Sequence, residues 1–222
     1  MVVLDTSGPV GSVVLSSDSE VRARATMTRR AEHASALIPT IASVLDDAGA
    51  CRADVQGIVV GEGPGSFTGV RVGAATAKGL SRALGVPMWA VSSLAAAVMA
   101  VDSGVIRYAL FDARAERVYG ACYGVGGAMM ETLVEPHAGE LGDVLDSEVP
   151  PAAVFVGEAS EKHRARIEGA GFEVVAALEG VTLADGLVRY LASVPDTPPI
   201  EDIRGWEPRY VRASNAERLW TR

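Results

Sequence analysis

Cysteine is scarce in this chain. Cys51 and Cys122 are the only two in 222 residues, too few for a disulfide framework and too far apart for a C-x-x-C pair. The three histidines, His33, His137 and His163, make no H-x-x-x-H and no H-E-x-x-H, and the residue four after His33 is Leu37. No zinc or iron site is predicted from that pattern. No serine stands in a G-x-S-x-G elbow, so nucleophilic hydrolysis has no signature either. Positive charge is also short: 20 Lys+Arg face 28 Asp+Glu, a net charge of −8. That sign is wrong for gripping a phosphate backbone unaided. Long apolar runs are missing as well. Residues 83–101 carry no charge, but Gly85-Val-Pro87 and Ser92-Ser93 divide them into a turn, a strand and a helix start. A spanning helix needs about 20 continuous apolar residues. The opening Met1-Val-Val-Leu-Asp5 has no basic stretch, which argues against a signal peptide and for a cytoplasmic protein with no membrane partner.

What is present is enough apolar sequence, 49% of the residues, for one large domain or two small lobes with a substantial core. Residues 1–30 read as three short strands, Val2–Asp5, Gly11–Ser16 and Glu20–Thr26, joined by turn-rich pieces, as in an antiparallel meander. A helix is predicted from Ala31 to Ala48, where Ala34, Leu37, Ile38, Ile41, Val44, Leu45 and Ala48 recur at helical spacing. A strand at Val55–Gly61, a helix at Gly69–Leu84, a strand at Met88–Val91 and a helix from Ser92 to Val101 follow. The order β-β-β-α-β-α-β-α is that of a ribonuclease-H-like lobe, the building block of two-lobe actin-like α/β folds. Fold alone does not decide function. From Gly104 on, strands are predicted at 107–112, 117–123, 129–133, 153–156 and 173–175, with helices at 158–168 and 182–193. The division expected is therefore residues 1–103 as the first lobe, and 104–222 as a second lobe on the same plan with a C-terminal tail.

The densest stretch is Gly61-Glu-Gly-Pro-Gly-Ser-Phe-Thr-Gly-Val-Arg-Val-Gly73. A glycine-rich loop between a strand and a helix can cradle a phosphate with backbone N–H groups. The details of the known patterns fail: no Lys completes a Walker loop, Ser66 stands where a G-x-G-x-x-G needs its third glycine, and Pro64 removes a donor. A rigid strand-to-helix corner is the competing reading. Asp5-Thr6-Ser7 ends the first strand, where actin-like enzymes place a carboxylate and hydroxyls beside nucleotide and metal. Asp5, Thr6, Gly63 and Gly65 are accordingly the nucleotide candidates, in an alternative in which the chain is an ATP-binding phospho- or acyl-transferase using Asp5 and the loop Gly61–Gly65. A two-metal nuclease would need further converging carboxylates, and only Glu32 and Glu62 are available nearby.

The helices flanking that loop are short-sided. Gly69, Gly73, Ala77 and Ser81 recur every four residues and would line one face of the second helix. Two helical glycines cost about 1 kcal/mol each relative to Ala, so a close approach by another helix is the expected compensation. The first helix carries no charge from Ala34 to Leu45, and its outer positions Ser35, Ala36, Pro39, Thr40 and Ser43 are all short, where an ordinary surface helix is solvated. These nine residues are the predicted partner interface. Cover by the second lobe or the tail is the alternative.

Together the motifs resemble the TsaB (YeaZ) family of partner subunits in tRNA threonylcarbamoyladenosine formation. The resemblance rests on Leu4-Asp-Thr-Ser7, Glu32-His33, Gly63 to Gly73, Ala77-Lys-Gly-Leu80, Val91-Ser-Ser-Leu94, Asp112-Ala-Arg114, Val118-Tyr119 and Glu207-Pro-Arg-Tyr-Val-Arg212. It implies an actin-like two-lobe fold that binds and activates a catalytic threonylcarbamoyl transferase (TsaD-like), with ATP and metal held on that partner and no cofactor expected in this chain. It further implies association with an ATPase subunit (TsaE-like), a homodimer when alone through the same early helices, and at most indirect contact with tRNA. In the catalytic relatives an H-x-x-x-H pair holds the metal; Leu37 stands at its second position here. The charge has a location too. Residues 104–194 hold 7 Lys+Arg and 14 Asp+Glu, whereas residues 1–103 hold 8 and 9. The half with the expected docking helices is near neutral.

Overall fold

The computed structural model describes residues 1–28, 33–126, 129–147 and 149–211. Three strands, β1 (Val2–Asp5), β2 (Gly11–Ser17) and β3 (Glu20–Met27), form a meander, and α1 (His33–Asp47) follows. A 3-10 turn at Arg52–Asp54 leads to β4 (Ile58–Gly61), α2 (Phe67–Leu84), β5 (Met88–Val91) and α3 (Ser93–Met99). The second half contributes β6 (Ile106–Asp112), β7 (Arg117–Gly126), β8 (Met129–Glu140), α4 (Leu141–Asp146) and β9 (Ala153–Val156). It ends with α5 (Glu158–Lys162), α6 (Arg164–Gly169), β10 (Glu173–Val174) and α7 (Leu183–Ser193).

The two five-stranded sheets have one topology used twice: β3-β2-β1-β4-β5 and, in the mirrored list, β10-β9-β6-β7-β8. In each, the first strand pairs antiparallel with the second and parallel with the fourth. This is the two-lobe actin-like α/β fold.

Strand alternation sorts the core into layers. Val2, Leu4, Val13, Leu15, Ile58 and Val60 point to one face of the first sheet, where Leu37, Ile41 and Val44 of α1 and Ala77 of α2 cover them. Val3, Val14 and Val59 point to the other face and meet α3 and α7. The same central layer receives Ala109, Phe111, Ala121, Tyr123, Val154 and Val156 from the second sheet. The far side of that sheet, with Tyr108, Leu110, Cys122 and Phe155, packs on Leu141, Val144, Ala159 and Ile167 of α4 to α6. The stack is therefore α1/α2, sheet, α3/α7, sheet, α4–α6. At its centre Gly186 of α7 lies so close to α3 that a Cβ would collide with the Ala96 carbonyl oxygen.

Arg107 closes the C-terminus of α3. It is 9% exposed and donates to the carbonyls of Val98 (2.7 Å), Val101 (2.8 Å) and Gly104 (2.8 Å). A cation at that end of a helix satisfies orphan carbonyls and complements the dipole.

The expected elements shift at their edges. The helix expected over 158–168 is two short helices meeting at His163, α4 is additional, and β8 runs on to Glu140 past Pro136, which an edge strand tolerates. The tail does not extend the second half but returns to the first. Ile200 N–H donates to the Met88 carbonyl (2.7 Å), Trp89 Nε1 donates to the Thr197 carbonyl (3.1 Å), and Ile200, Ile203 and Trp206 pack on the core beside α2.

Candidate functional site

The carboxylate at the end of β1 is sealed. Asp5 is 0% exposed. Its Oδ1 accepts from the backbone N–H of Ser7 (2.8 Å) and from Ser7 Oγ (2.7 Å), and its Oδ2 accepts from Ser93 Oγ (2.6 Å). Ser93 Oγ in turn accepts from the N–H of Gly63 (3.1 Å). Gly61 backs onto the same carboxylate, where a Cβ would collide with Asp5 Oδ2. Thr6 Oγ1 donates to the Gly69 carbonyl (2.7 Å). Gly65 rests on Ser7, and a Cβ there would sit 2.7 Å from the Ser7 Cβ. Of the four nucleotide candidates, Asp5, Thr6 and the Gly63 N–H thus spend their polar groups on one another's neighbours, and Gly65 serves as a spacer. Together they knit β1, β4, the loop and α3 into one corner.

Above this corner lies a hollow of about 30 Å³ lined by Glu62, Pro64, Gly65, Phe67, Val70 and Tyr119, roofed by Arg209, Tyr210 and Val211. That is room for about two waters, far below the size of a nucleotide pocket. Burial pushes the Glu62 carboxyl above the usual range, with the nearby Arg209 guanidinium pulling the other way.

Glu32 falls outside the described residues. Among the described residues, no group of three or more His, Cys, Asp or Glu is placed to hold a metal ion. Among the described residues no helix is long and apolar enough to cross a membrane.

The small-residue stripe of α2 faces the opposite way from the expectation. Gly69, Gly73, Ala77 and Ser81 are all buried against this chain's own first sheet. A Cβ at Gly69 would collide with the Thr6 carbonyl oxygen, and one at Gly73 would lie 2.5 Å from Thr6 Oγ1. Ala77 is 0% exposed, and Ser81 Oγ donates to the Val86 carbonyl. Gly69 and Gly73 are small because Thr6, just past β1, crosses α2 in close contact, and all four residues are buried within this chain rather than on an outer surface. Spacing alone revealed a close approach without revealing to what.

The five α1 residues of that expectation all lie at least partly at the surface. Ser35, Pro39 and Ser43 are exposed and Ala36 and Thr40 half-buried. Ile38, passed over as a core position, is 52% exposed beside them. On the neighbouring α2 the outward residues are Phe67, Thr68, Arg71, Ala75, Gly79, Arg82 and Ala83. Ala75, Gly79 and Ala83 also recur every four residues, a second short-sided stripe opposite the first. Gly79 sits mid-helix with nothing within 4 Å of an added Cβ, so no contact among the described residues explains it. The signal for this outer stripe was in the sequence, overshadowed by the buried one.

The N-terminus of α2 is capped by Ser66, whose Oγ accepts from the Gly69 N–H (3.4 Å). Its first turn carries an exposed cluster. Phe67 and Tyr210 have ring centroids 5.4 Å apart, and the Arg71 guanidinium lies 3.9 Å from the Phe67 centroid.

Residues 24–185 match the family model for TsaD, tRNA N6-adenosine threonylcarbamoyltransferase. The chain is 31% identical to the tRNA threonylcarbamoyladenosine biosynthesis protein TsaB of Bacillus subtilis, over 99% of this chain and 97% of that protein. It is 35% identical to the Escherichia coli TsaB over 55% of this chain and 54% of the relative. Two solved structures from Pseudomonas aeruginosa are 26% identical. One is described as an uncharacterized protein with similarity to peptidase YEAZ (TM-score 0.79, covering 95% of this chain and 98% of that one). The other is YeaZ (TM-score 0.77, 94% and 98%).

Proposed function

Because this chain belongs to the TsaB (YeaZ) family, with a part in tRNA threonylcarbamoyladenosine biosynthesis, we propose that it is a non-catalytic subunit of that system. In this reading it docks on a threonylcarbamoyl transferase through the outer faces of α1 and α2 and activates it. The observation that carries the reading is the pair of adjacent, exposed, short-sided helix faces, with the unexplained glycine Gly79 at the centre of one and Ile38 on the other. Short side chains let a second pair of helices approach, and an exposed Ile supplies apolar area for the core of such an interface. The near-neutral charge of residues 1–103 fits a surface of that kind. ATP and metal chemistry belongs to the partner, and an associated ATPase subunit and a homodimer of the free chain are part of the same proposal.

The absence of catalysis is supported by the sealed state of Asp5. A transferase using that carboxylate would have to open a corner in which both of its oxygens accept hydrogen bonds from this chain's own serines. The deciding experiment is reconstituted modification of an unmodified tRNA with and without this chain. Dependence on the chain, lost in Gly79→Arg while the variant stays folded, is the expected result. Modification that proceeds equally well without it overturns the proposal. So does saturable ATP binding by the isolated chain that Asp5→Asn abolishes.

A further inference from the structure

The reading above leaves the ordered tail unexplained. After α7 the chain crosses back over the first sheet and runs along α2. Lys78 Nζ donates to the carbonyls of Arg204 (2.9 Å) and Trp206 (2.8 Å), so the tail is tied to the middle of that helix. It ends its described course at the opposite end, over the glycine-rich loop. There two consecutive residues reach in different directions. Tyr210 lies against Phe67, its hydroxyl accepting from Arg71 Nε (3.1 Å), on the first turn of α2. Arg209 turns to Glu135 on β8, the edge strand of the second sheet (3.7 Å). It also acts electrostatically on the half-buried Glu62 of the loop. The hollow beneath them is lined from both halves, by Glu62 to Val70 on one side and Tyr119 of β7 on the other.

We propose that Arg209 and Tyr210 form a latch between the two halves, through which the second sheet sets the position of the first turn of α2. The physical case is one of modest, separable contacts. The Arg209–Glu135 pair is exposed on both sides, so it is weak. The tyrosine clamp adds an aromatic pair with Phe67 and the Arg71 guanidinium 5.7 Å from the Tyr210 ring centroid, each a contribution on the scale of a few RT at most. A latch of that strength holds most molecules closed yet opens without unfolding anything. Tyr210 and Phe67, 40% and 41% exposed, continue the outer face of α2 towards its N-terminus. The consequence for docking rests on the function proposed above; the latch itself does not.

Hydrogen exchange on the full chain tests it without a partner. The amides of residues 69–72 are the probe, because they follow the Ser66 cap directly. Tyr210→Ala should speed their exchange about fivefold, and Tyr210→Phe, which keeps the ring and loses the hydroxyl, should do so less. Glu135→Lys, a change on the second sheet that would repel Arg209, should speed the same amides by about twofold. Glu201→Ala, exposed on the tail away from both contacts, serves as the control for altered surface charge. No change at residues 69–72 in Glu135→Lys overturns the latch, since a tail that merely rests on α2 would not register a charge on β8. Binding to the transferase is then measured separately, and Tyr210→Ala should weaken it several-fold. Faster exchange with unchanged affinity overturns the coupling to docking, whereas a wild-type chain that does not bind the transferase at all overturns the proposed function and leaves the latch standing.

Discussion

Ser93 and Asp5, 88 residues apart in the chain, are joined by a 2.6 Å hydrogen bond from Oγ to Oδ2 in a fully buried corner. The bond fastens the start of α3 to the end of β1, and Gly61 of β4 closes the third side. A buried carboxylate is tolerable only where its oxygens are satisfied, and here the serines do that work. Ser93→Ala should cost about 1–3 kcal/mol by leaving Asp5 short of a donor. Gly61→Ala should cost at least as much, because the added methyl has nowhere to go. Urea denaturation at neutral pH measures both, and stabilities equal to that of the parent chain would contradict the sealed corner.

Gly73 and Gly79 of α2 play opposite parts, one in folding and one on the open outer face. Gly79→Ala should stabilise the isolated chain by up to about 1 kcal/mol, since the helix gains propensity and the methyl meets open space. Gly73→Leu should instead prevent native folding, because its side chain would enter the space held by Thr6, Leu4 and Val60. A thermal melt orders the three chains. Destabilisation by Gly79→Ala would mean that the face is not open.

Glu62 gives a pH signature. Burial raises its folded-state pKa above the ordinary value of 4.5, so the native state holds this proton more tightly than the unfolded chain does. Stability from this group is full below about pH 4.5, declines as the pH rises through the folded pKa, and stays at its low plateau above it. Glu62→Gln should therefore be more stable than the parent at pH 7, with the difference shrinking as the pH falls through the folded pKa towards 4.5. Arg209→Ala should enlarge the pH-dependent loss, because the guanidinium opposes the shift. Denaturation midpoints between pH 4 and 8 check both signs.

Arg107 offers a test of the central layer. Arg107→Met removes the donor from the Val98 carbonyl at the end of α3 and from the Val101 and Gly104 carbonyls of the segment after it, at an expected cost of about 2–3 kcal/mol. Arg107→Lys should recover part of it, since one ammonium cannot span all three acceptors. Calorimetric melting of the two variants distinguishes a cap from simple filling of space.

Much of this fold was legible because strand alternation and helix spacing are local. Val2 and Leu4 against Val3, and Leu37, Ile41 and Val44 on α1, assign faces by period alone. Shorter or interrupted elements were not: α4 buries only Leu141 and Val144, and the helical run over 158–168 breaks at His163 without a glycine or proline to announce it. The exposed short-sided helix faces were half legible. A run of short residues says that something comes close, but only the three-dimensional fold shows that Gly69, Gly73, Ala77 and Ser81 meet their own chain, leaving Ala75, Gly79 and Ala83 outside. The contact of Arg71 with Tyr210 joins residues 139 apart in sequence, and no local pattern carries it.

The five-layer stack also gives the molecule an electrical polarity. Its acidic residues are concentrated in the half that contains the second sheet and α4–α6, while α1 and α2 form the opposite pole in a half close to neutral. A polyanion approaching such a body is turned away from one end and admitted at the other. The approach orients before any contact is made, and added salt flattens that orientation as it screens the field. The same layering that buries the core thus separates a charged end of the protein from a near-neutral one.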